Sequence, residues 1–301
     1  MIRIIYENEK TVEVDNLDLT LLEISLTNEI PHVHACGGMA RCSTCRVIVL
    51  ENSENCLPPN EMEIELADKK GFEHNIRLGC QMKVKGPLKL RRLVFDESDI
   101  KLSAQNKETT GKEKRVAIMF TDIRNFTGFS EKHLCYDIVH ILNRYFFEMG
   151  RVINENDGYI DKYMGDGIMA IFGLENEDPF SICRSAVKAG LEMFSVLKSF
   201  NVYLEKYFNT SFQIGVGIHF GEALVGELGH PSKTQFSAIG DVVNIASRVE
   251  SATKAAKAPF LITEAVYSQI KNIVKTGKIV RDAELKGKHE KYTLLEVLDM
   301  S

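Results

Sequence analysis

Proline and glycine are sparse in this 301-residue chain, at 7 and 21 residues, which excludes collagen-like and low-complexity architectures. Neither charge sign dominates: 37 Lys and Arg against 42 Asp and Glu leave a formal charge of -5. Bulk charge therefore supplies no pull toward nucleic acid or an anionic membrane surface. No stretch reaches the ~18 consecutive apolar residues of a spanning helix. The opening MIRIIYENEK introduces charge before a signal-peptide apolar run can develop. These absences lead to the expectation of a cytoplasmic protein with no membrane span and no nucleic-acid partner. No internal repeat suggests a solenoid or propeller. What remains, 44% hydrophobic and 26% charged residues, is globular, and the length favours two domains.

A division is visible. Residues 96–114, DESDIKLSAQNKETTGKEK from Asp96 onward, are polar or charged nearly throughout and read as a linker between domains at 1–95 and 115–301. The first half opens with two short strand-like runs, MIRIIY and TVEVD, and a helix-like stretch ended by Pro31. A cysteine-bearing loop, a strand RVIVL, the acidic segment NEMEIELADKKG and a last apolar-basic run LKLRRLVF follow, which suggests a small α+β domain. The second half alternates a buried strand VAIMFTDI, a long amphipathic helix, a hairpin GYIDKYMG/DGIMAIFG, a second helix, a strand pair FQIGVGIHFG and EALVGELG, and a helix from Gly240. It reads as a sheet with helices packed on it.

Four of the seven cysteines crowd into one window, Cys36, Cys42, Cys45 and Cys56, with Cys80 not far behind, which argues for a metal or cluster over disulfides. Cys135 and Cys183 read as isolated core thiols. Cys36, Cys42 and Cys45 form C-x5-C-x2-C, and Gly37 and Gly38 let backbone N–H groups approach the sulfurs. Three thiolates on one loop and a distant fourth, Cys80, suit an inorganic cluster; a closed zinc site is the alternative, and a Rieske site recruiting His32 or His34 a remote one. HACGGMARCSTCRV followed by RLGCQ resembles the 2Fe-2S ferredoxin family, with an inner spacing like its adrenodoxin-like branch. The resemblance implies a β-grasp fold and a 2Fe-2S cluster on Cys36, Cys42, Cys45 and Cys80, with Cys56 outside the ligand set. The acidic residues Glu61, Glu63 and Glu65 are then either a candidate docking surface for a ferredoxin reductase or other electron donor or a plain solvated helix face.

In the second half, Asp122 and Asp166 each stand where a strand meets a turn, a placement that suits either a pair of divalent ions or ordinary turn formation. No GGDEF-type signature and no G-x-x-x-x-G-K-S/T phosphate loop occur. FTDIRNFTGFS, KYMGDGIMAIFG, GVGIHFGEALVGELG, FSAIGDVVNIASRVE and LKGKHEKY, in that order, resemble the class III nucleotidyl cyclase catalytic domain across about residues 114–297. The resemblance implies a palm-like βαββαβ (ferredoxin-like) core, so the whole chain is expected to be α+β in two domains.

By the same resemblance, Asp122, Asp166 and the Ile123 carbonyl are expected to hold two Mg²⁺ or Mn²⁺ ions that activate the ribose 3′-hydroxyl and neutralise the triphosphate. Arg248 would stabilise charge on the α-phosphate and Asn244 would orient the ribose, four residues apart on one helix face. Lys162 and Ser237 would read adenine, Lys286 would hold the terminal phosphates, and Lys233 would be a further substrate-binding residue where relatives often carry Arg. Adenine is favoured because a lysine donor and a hydroxyl acceptor suit it, so ATP is the expected substrate. A head-to-tail homodimer is implied, because the two halves of each site come from opposite chains. The expected activity is that of an adenylate cyclase with a redox domain. The alternatives are a guanylate cyclase and an electron carrier whose second half binds nucleotide without catalysis.

Overall fold

The computed structural model describes residues 1–94, 111–230, 233–284 and 291–301, and the chain divides into two compact units, Met1–Thr110 and Gly111–Ser301. Most of the expected linker lies outside the described residues. Its last residues do not: the first strand of the second unit already begins at Lys112.

The first unit builds a five-stranded sheet from β1 (Ile2–Tyr6), β2 (Thr11–Val14), β3 (Arg46–Glu51), β4 (Ile76–Leu78) and β5 (Leu88–Arg92), in the order β2-β1-β5-β3-β4. β1 and β5 run parallel, with Ile4 opposite Leu88, and the other neighbours run antiparallel. Alternation along β1 and β2 turns Ile4, Tyr6, Val12 and Val14 inward. They meet helix α1 (Leu21–Thr27), which starts at a capping box: the Thr20 hydroxyl accepts from the Glu23 N–H, and the Glu23 carboxylate accepts from the Thr20 N–H. This is the mixed α+β arrangement expected for residues 1–95.

Helix α2 (Glu61–Lys70) is capped by Asn60 and stopped by Gly71 at φ 63. Its Glu63 does not belong to a docking face. The side chain is buried, accepts two bonds from Arg77 at 2.8 and 2.9 Å, and accepts the Leu78 N–H at 2.7 Å. Only Glu61 and Glu65 of the three acids are exposed. The i, i+2 spacing of the acids hides this, because positions two apart on a helix face different ways.

The second unit carries eight strands among its described residues: β6 (Lys112–Ile123), β7 (Gly158–Met164), β8 (Gly167–Phe172), β9 (Ile214–His230), β10 (Lys233–Ile239), β11 (Phe260–Thr263), β12 (Val274–Glu284) and β13 (Lys291–Met300). The order is β12-β13-β11-β9-β6-β8-β7, with β10 also on β9. Between the strands lie α3 (Phe126–Ser130), α4 (Cys135–Glu155), α5 (Pro179–Phe208), α6 (Asp241–Ala256) and α7 (Glu264–Ile270). The segment β6-α4-β7-β8-α5-β9 is the βαββαβ palm, with β6 central and antiparallel to both β8 and β9.

Two helices form one apolar layer. Ile141, Tyr145, Met149 and Val152 recur at helical spacing on α4, and Ile182, Ala186, Val187, Ala189 and Met193 do so on α5, which starts at the Asp178 cap with Pro179 in its first turn. They bury the β6, β8 and β9 side chains Ala117, Met119, Ala170 and Ile218. Cys183 is in this core as expected. Cys135 is not: it opens α4 and is exposed.

One strand assignment from the sequence also changes. FQIGVGIHFG and EALVGELG are not a pair but parts of a single 17-residue strand, β9, whose hairpin partner is β10. β6 pairs with β9 without interruption from Lys112↔Val225 to Ile123↔Ile214, so the ladder carries the chain straight through Gly221 and Glu222.

Candidate functional site

The cysteine loop turns tightly, with positive φ at Gly37, Gly38 and Ala40, and this curls its N–H groups inward. The N–H groups of Arg41, Met39 and Gly38 and the Cys42 thiol together outweigh burial and pull the Cys36 thiol below its ordinary value. Cys80 is drawn down to about 6, first by a hydrogen bond from Cys45 and further by Gln81 and the Ala40 N–H. Cys45, buried and holding that proton, is raised. The four thiols thus stand as two contacting pairs, Cys36 with Cys42 and Cys45 with Cys80. Among the described residues no three His, Cys, Asp or Glu side chains converge on one ion-sized point. Two pairs framed by N–H donors fit a two-iron cluster better than a single tetrahedral zinc.

The loop's outer partners are also set. Thr44 Oγ1 lies 3.1 Å from Cys42 Sγ, and Gln81 Nε2 donates to Cys80 Sγ at 3.4 Å. His32 is buried, with Nε2 3.1 Å from the Cys45 carbonyl and Nδ1 2.9 Å from Ser25 Oγ, so both ring nitrogens are occupied by groups other than a metal. Cys56 is half-buried beside Val84, apart from the four.

In the second unit the carboxylates meet at the ends of neighbouring strands. Asp122 precedes the last residue of β6, and Asp166 sits in the tight β7–β8 turn after Gly165, at φ 64. Asp166 Oδ2 accepts the Ile123 N–H at 3.1 Å. Burial, and then the negative charge of Asp122, push Asp166 up to about 6. A Cβ on Gly167 would lie 3.0 Å from the Thr121 carbonyl and 3.3 Å from Asp122 Oδ1, so glycine keeps this approach open. Two close carboxylates and an adjacent main-chain carbonyl are the donor set of hard divalent cations.

Behind them, Arg124 reaches α6, with Nη1 3.3 Å from Glu250 Oε1 and Nη2 donating to Thr253 Oγ1. Burial nevertheless raises Glu250 to about 7 against the pull of Arg124, and its Oε1 lies outside hydrogen-bonding geometry. On the same helix Arg248 Nη1 is buried without a partner, and Asn244, one turn earlier, is exposed.

A third cluster joins β7 to β10. Lys162 Nζ donates to Ser237 Oγ at 3.3 Å, and Ser237 Oγ donates to Asp161 Oδ2 at 2.7 Å. The Tyr159 and Phe236 rings meet edge to face at 5.4 Å beside it. The structure therefore brings Lys162 and Ser237 together, and separately Asp122, Ile123 and Asp166.

Residues 108–296 match the adenylate and guanylate cyclase catalytic domain, and residues 5–85 match the 2Fe-2S iron-sulfur cluster binding domain. The chain belongs to the adenylate and guanylate cyclase family. It is 36% identical over 192 residues to an adenylate cyclase of Anabaena cylindrica, covering 61% of this chain and 37% of that one. It is 36% identical over 190 residues to the terminal-differentiation-specific adenylate cyclase of Dictyostelium discoideum, covering 62% and 9%. The chain thus spans well under half the length of these relatives. Among solved structures, the adenylyl cyclase CyaB from P. aeruginosa has a TM-score of 0.59 at 29% identity over 64% of this chain and 97% of that one. The guanylyl cyclase Cya2 has a TM-score of 0.59 at 28% identity, over 64% and 95%. The unit from Gly111 is the cyclase unit, and a ferredoxin-type unit precedes it.

Not every expected site residue joins the cyclase clusters. Lys233 opens β10, exposed, opposite His230, and its Cα is roughly 14 Å along the strand from that of Ser237 at ~3.4 Å per residue. Lys286 lies outside the described residues. Asp161 was not foreseen, although it precedes Lys162 directly. Strand alternation should turn it to the opposite face, but a bulge between Ile160 and Lys162 breaks that rule. No helix among the described residues is long and apolar enough to cross a membrane.

Proposed function

We propose that the chain is an adenylate cyclase, forming 3′,5′-cyclic AMP and pyrophosphate from ATP as a head-to-tail homodimer, and that its ferredoxin unit holds a 2Fe-2S cluster whose redox state biases turnover. The choice of adenine rests on the Lys162–Ser237 pair, with Nζ and Oγ 3.3 Å apart. An ammonium donor suits adenine N1 and a hydroxyl acceptor suits its 6-amino group, whereas guanine would set its N1–H against the ammonium.

Asp122, the Ile123 carbonyl and Asp166 would hold two Mg²⁺ or Mn²⁺ ions. When bound, such ions supply activation of the 3′-hydroxyl and neutralisation of the triphosphate. The rest falls to the chain. Arg248 carries a guanidinium nitrogen with no partner, ready to donate to the α-phosphate as charge builds there. Asn244, one turn away, would orient the ribose, Lys286 would hold the terminal phosphates, and Lys233 would be a further substrate-binding residue. The paired thiols Cys36 with Cys42 and Cys45 with Cys80 would each take one iron.

The test is incubation of anaerobically purified protein with ATP or GTP and Mn²⁺, the visible spectrum and the cyclic product being followed together in oxidised and dithionite-reduced samples. Cyclic AMP in preference to cyclic GMP supports the reading, and a difference between the two redox states supports the bias. Cyclic GMP in excess would make the chain a guanylate cyclase. No product in either state would leave an electron carrier with a nucleotide-binding partner domain.

A further inference from the structure

The bulge in β7 gives its strand two consecutive side chains on the side of β10. Asp161 and Lys162 both reach Ser237, at 2.7 Å from Oδ2 and 3.3 Å from Nζ, where regular alternation would send one of them away. Gln235 and Ser237, two apart on β10, share a face and both contact Asp161. The Asp161 side chain is fully buried, and the Lys162 side chain above it is 40% exposed. Such a buried carboxylate is an expensive component unless it is fully hydrogen-bonded, and here it is.

The donor directions are over-determined. Gln235 Nε2 donates to the Asp161 carbonyl oxygen at 2.7 Å and to its Oδ1 at 3.1 Å, so the amide nitrogen, not the amide oxygen, must face Asp161. Oδ1 is thereby an acceptor. Oδ2 accepts from Ser237, whose single hydroxyl proton is committed to that bond. One Ser237 lone pair accepts from Lys162 Nζ, and what remains for a ligand is the other lone pair.

We infer that Asp161 is a positioning residue that sets nucleobase specificity: by accepting the Ser237 hydroxyl hydrogen bond it makes Ser237 Oγ an acceptor toward any ligand, so the site accepts a purine carrying a 6-amino donor and rejects one carrying a 6-oxo acceptor. Serine alone has no such preference, because a free hydroxyl rotates to donate or accept. The inference rests on the adenylate cyclase reading and adds the group that decides its polarity.

Asp161→Asn gives a distinctive outcome. Gln235 still donates toward the side chain, so the oxygen of the introduced amide turns to Gln235 and its NH₂ turns to Ser237. Ser237 then accepts from that NH₂, and its own proton points at the base. The polarity is inverted with almost no change in shape.

The experiment compares kcat/KM for ATP and for purine riboside 5′-triphosphate, which lacks only the 6-amino group, with Mn²⁺ and full-length protein. The wild type should prefer ATP by about 10- to 100-fold, as a buried site built for a hydrogen bond discriminates against its absence. Asp161→Asn should reduce that preference at least about tenfold, and GTP use relative to ATP should rise. Ser237→Ala should abolish the preference, and adding Asp161→Asn to it should change the ratio no further, since the two act through one atom. An Asp161→Asn enzyme that loses activity on both nucleotides equally, with the preference intact, would overturn the inference and leave the adenine reading standing. A wild type with no preference for ATP over purine riboside 5′-triphosphate would overturn the reading and the inference together. Asp161→Ala serves if the asparagine variant does not fold, and failure of both to fold assigns Asp161 to the scaffold and overturns the inference.

Discussion

In protein prepared without divalent metal, replacing Asp166 by Asn should stabilise the cyclase unit while destroying its activity. Asp166 is raised from 3.8 to about 6 by burial and by the charge of Asp122, so its ionised form is disfavoured in the fold. The sign follows. A carboxyl raised on folding favours the folded state below its unfolded pKa, and that advantage is lost as pH climbs through about 4 to 6. About two pKa units correspond to ~3 kcal/mol in full, and partial solvent screening at this half-buried turn reduces it to ~1–2 kcal/mol. Asparagine has no charge to disfavour and can still accept the Ile123 N–H. The variant should therefore melt higher at pH 8, by roughly 2–8 °C for a unit of this size, and level with the wild type near pH 4. Adding Mn²⁺ should raise the wild type and leave the variant nearly unmoved, because only the wild type gains binding energy in the folded state. Thermal scans of both proteins at pH 4.5 and 8, with and without Mn²⁺, decide it. A variant less stable than the wild type at pH 8 without metal would refute the idea that the two carboxylates are held together at a cost.

Arg248→Ala should cost about 10²–10³ in kcat while the protein still folds, and steady-state cyclic AMP assays with thermal scans check both halves. Glu63→Ala should destabilise the ferredoxin unit by about 3–5 kcal/mol, since it strands Arg77 and the Leu78 N–H, whereas Glu61→Ala and Glu65→Ala should stay within ~0.5 kcal/mol in chemical denaturation. Cys80→Ser should remove the visible absorption of the anaerobically purified protein, while Cys56→Ser should retain it, because Cys56 lies apart from the thiol pairs.

Positions tied to one local rule were legible in the sequence. Asp166 follows a glycine in a two-residue hairpin turn, and Cys36, Cys42 and Cys45 fall on a loop opened by Gly37 and Gly38. Ser237 and Lys162 were legible only through the resemblance, since 75 residues separate them and only the β7–β10 contact unites them. Positions that break a local rule were not legible. Asp161 is hidden by a bulge, Glu63 by a partner fourteen residues on, and the continuity of β9 by a Gly-Glu pair that reads as a turn until β6 is laid beside it.

The two units share a physical device. Each brings like groups into contact, thiols in Cys36 with Cys42 and Cys45 with Cys80, carboxylates in Asp122 with Asp166, and surrounds them with backbone N–H donors too few to neutralise a full set of negative charges. Burial opposes ionisation at both sites, and in the Cys45–Cys80 pair Cys45 holds the proton that favours the Cys80 thiolate. On the proposed reading, a bound cation would relieve the Asp122–Asp166 repulsion and take up the thiolate charge that the loop already favours at Cys36 and Cys80. Asp161 shows the contrasting solution. Its carboxylate is more deeply buried, yet Gln235 and Ser237 hydrogen-bond both oxygens and Lys162 lies 3.5 Å away, so it requires no ion. On the proposed reading, that difference separates the carboxylates that would bind metal from the one that would orient a neighbour. On this argument Asp161→Asn should leave the Mn²⁺-induced rise in melting temperature intact, where Asp166→Asn removes it.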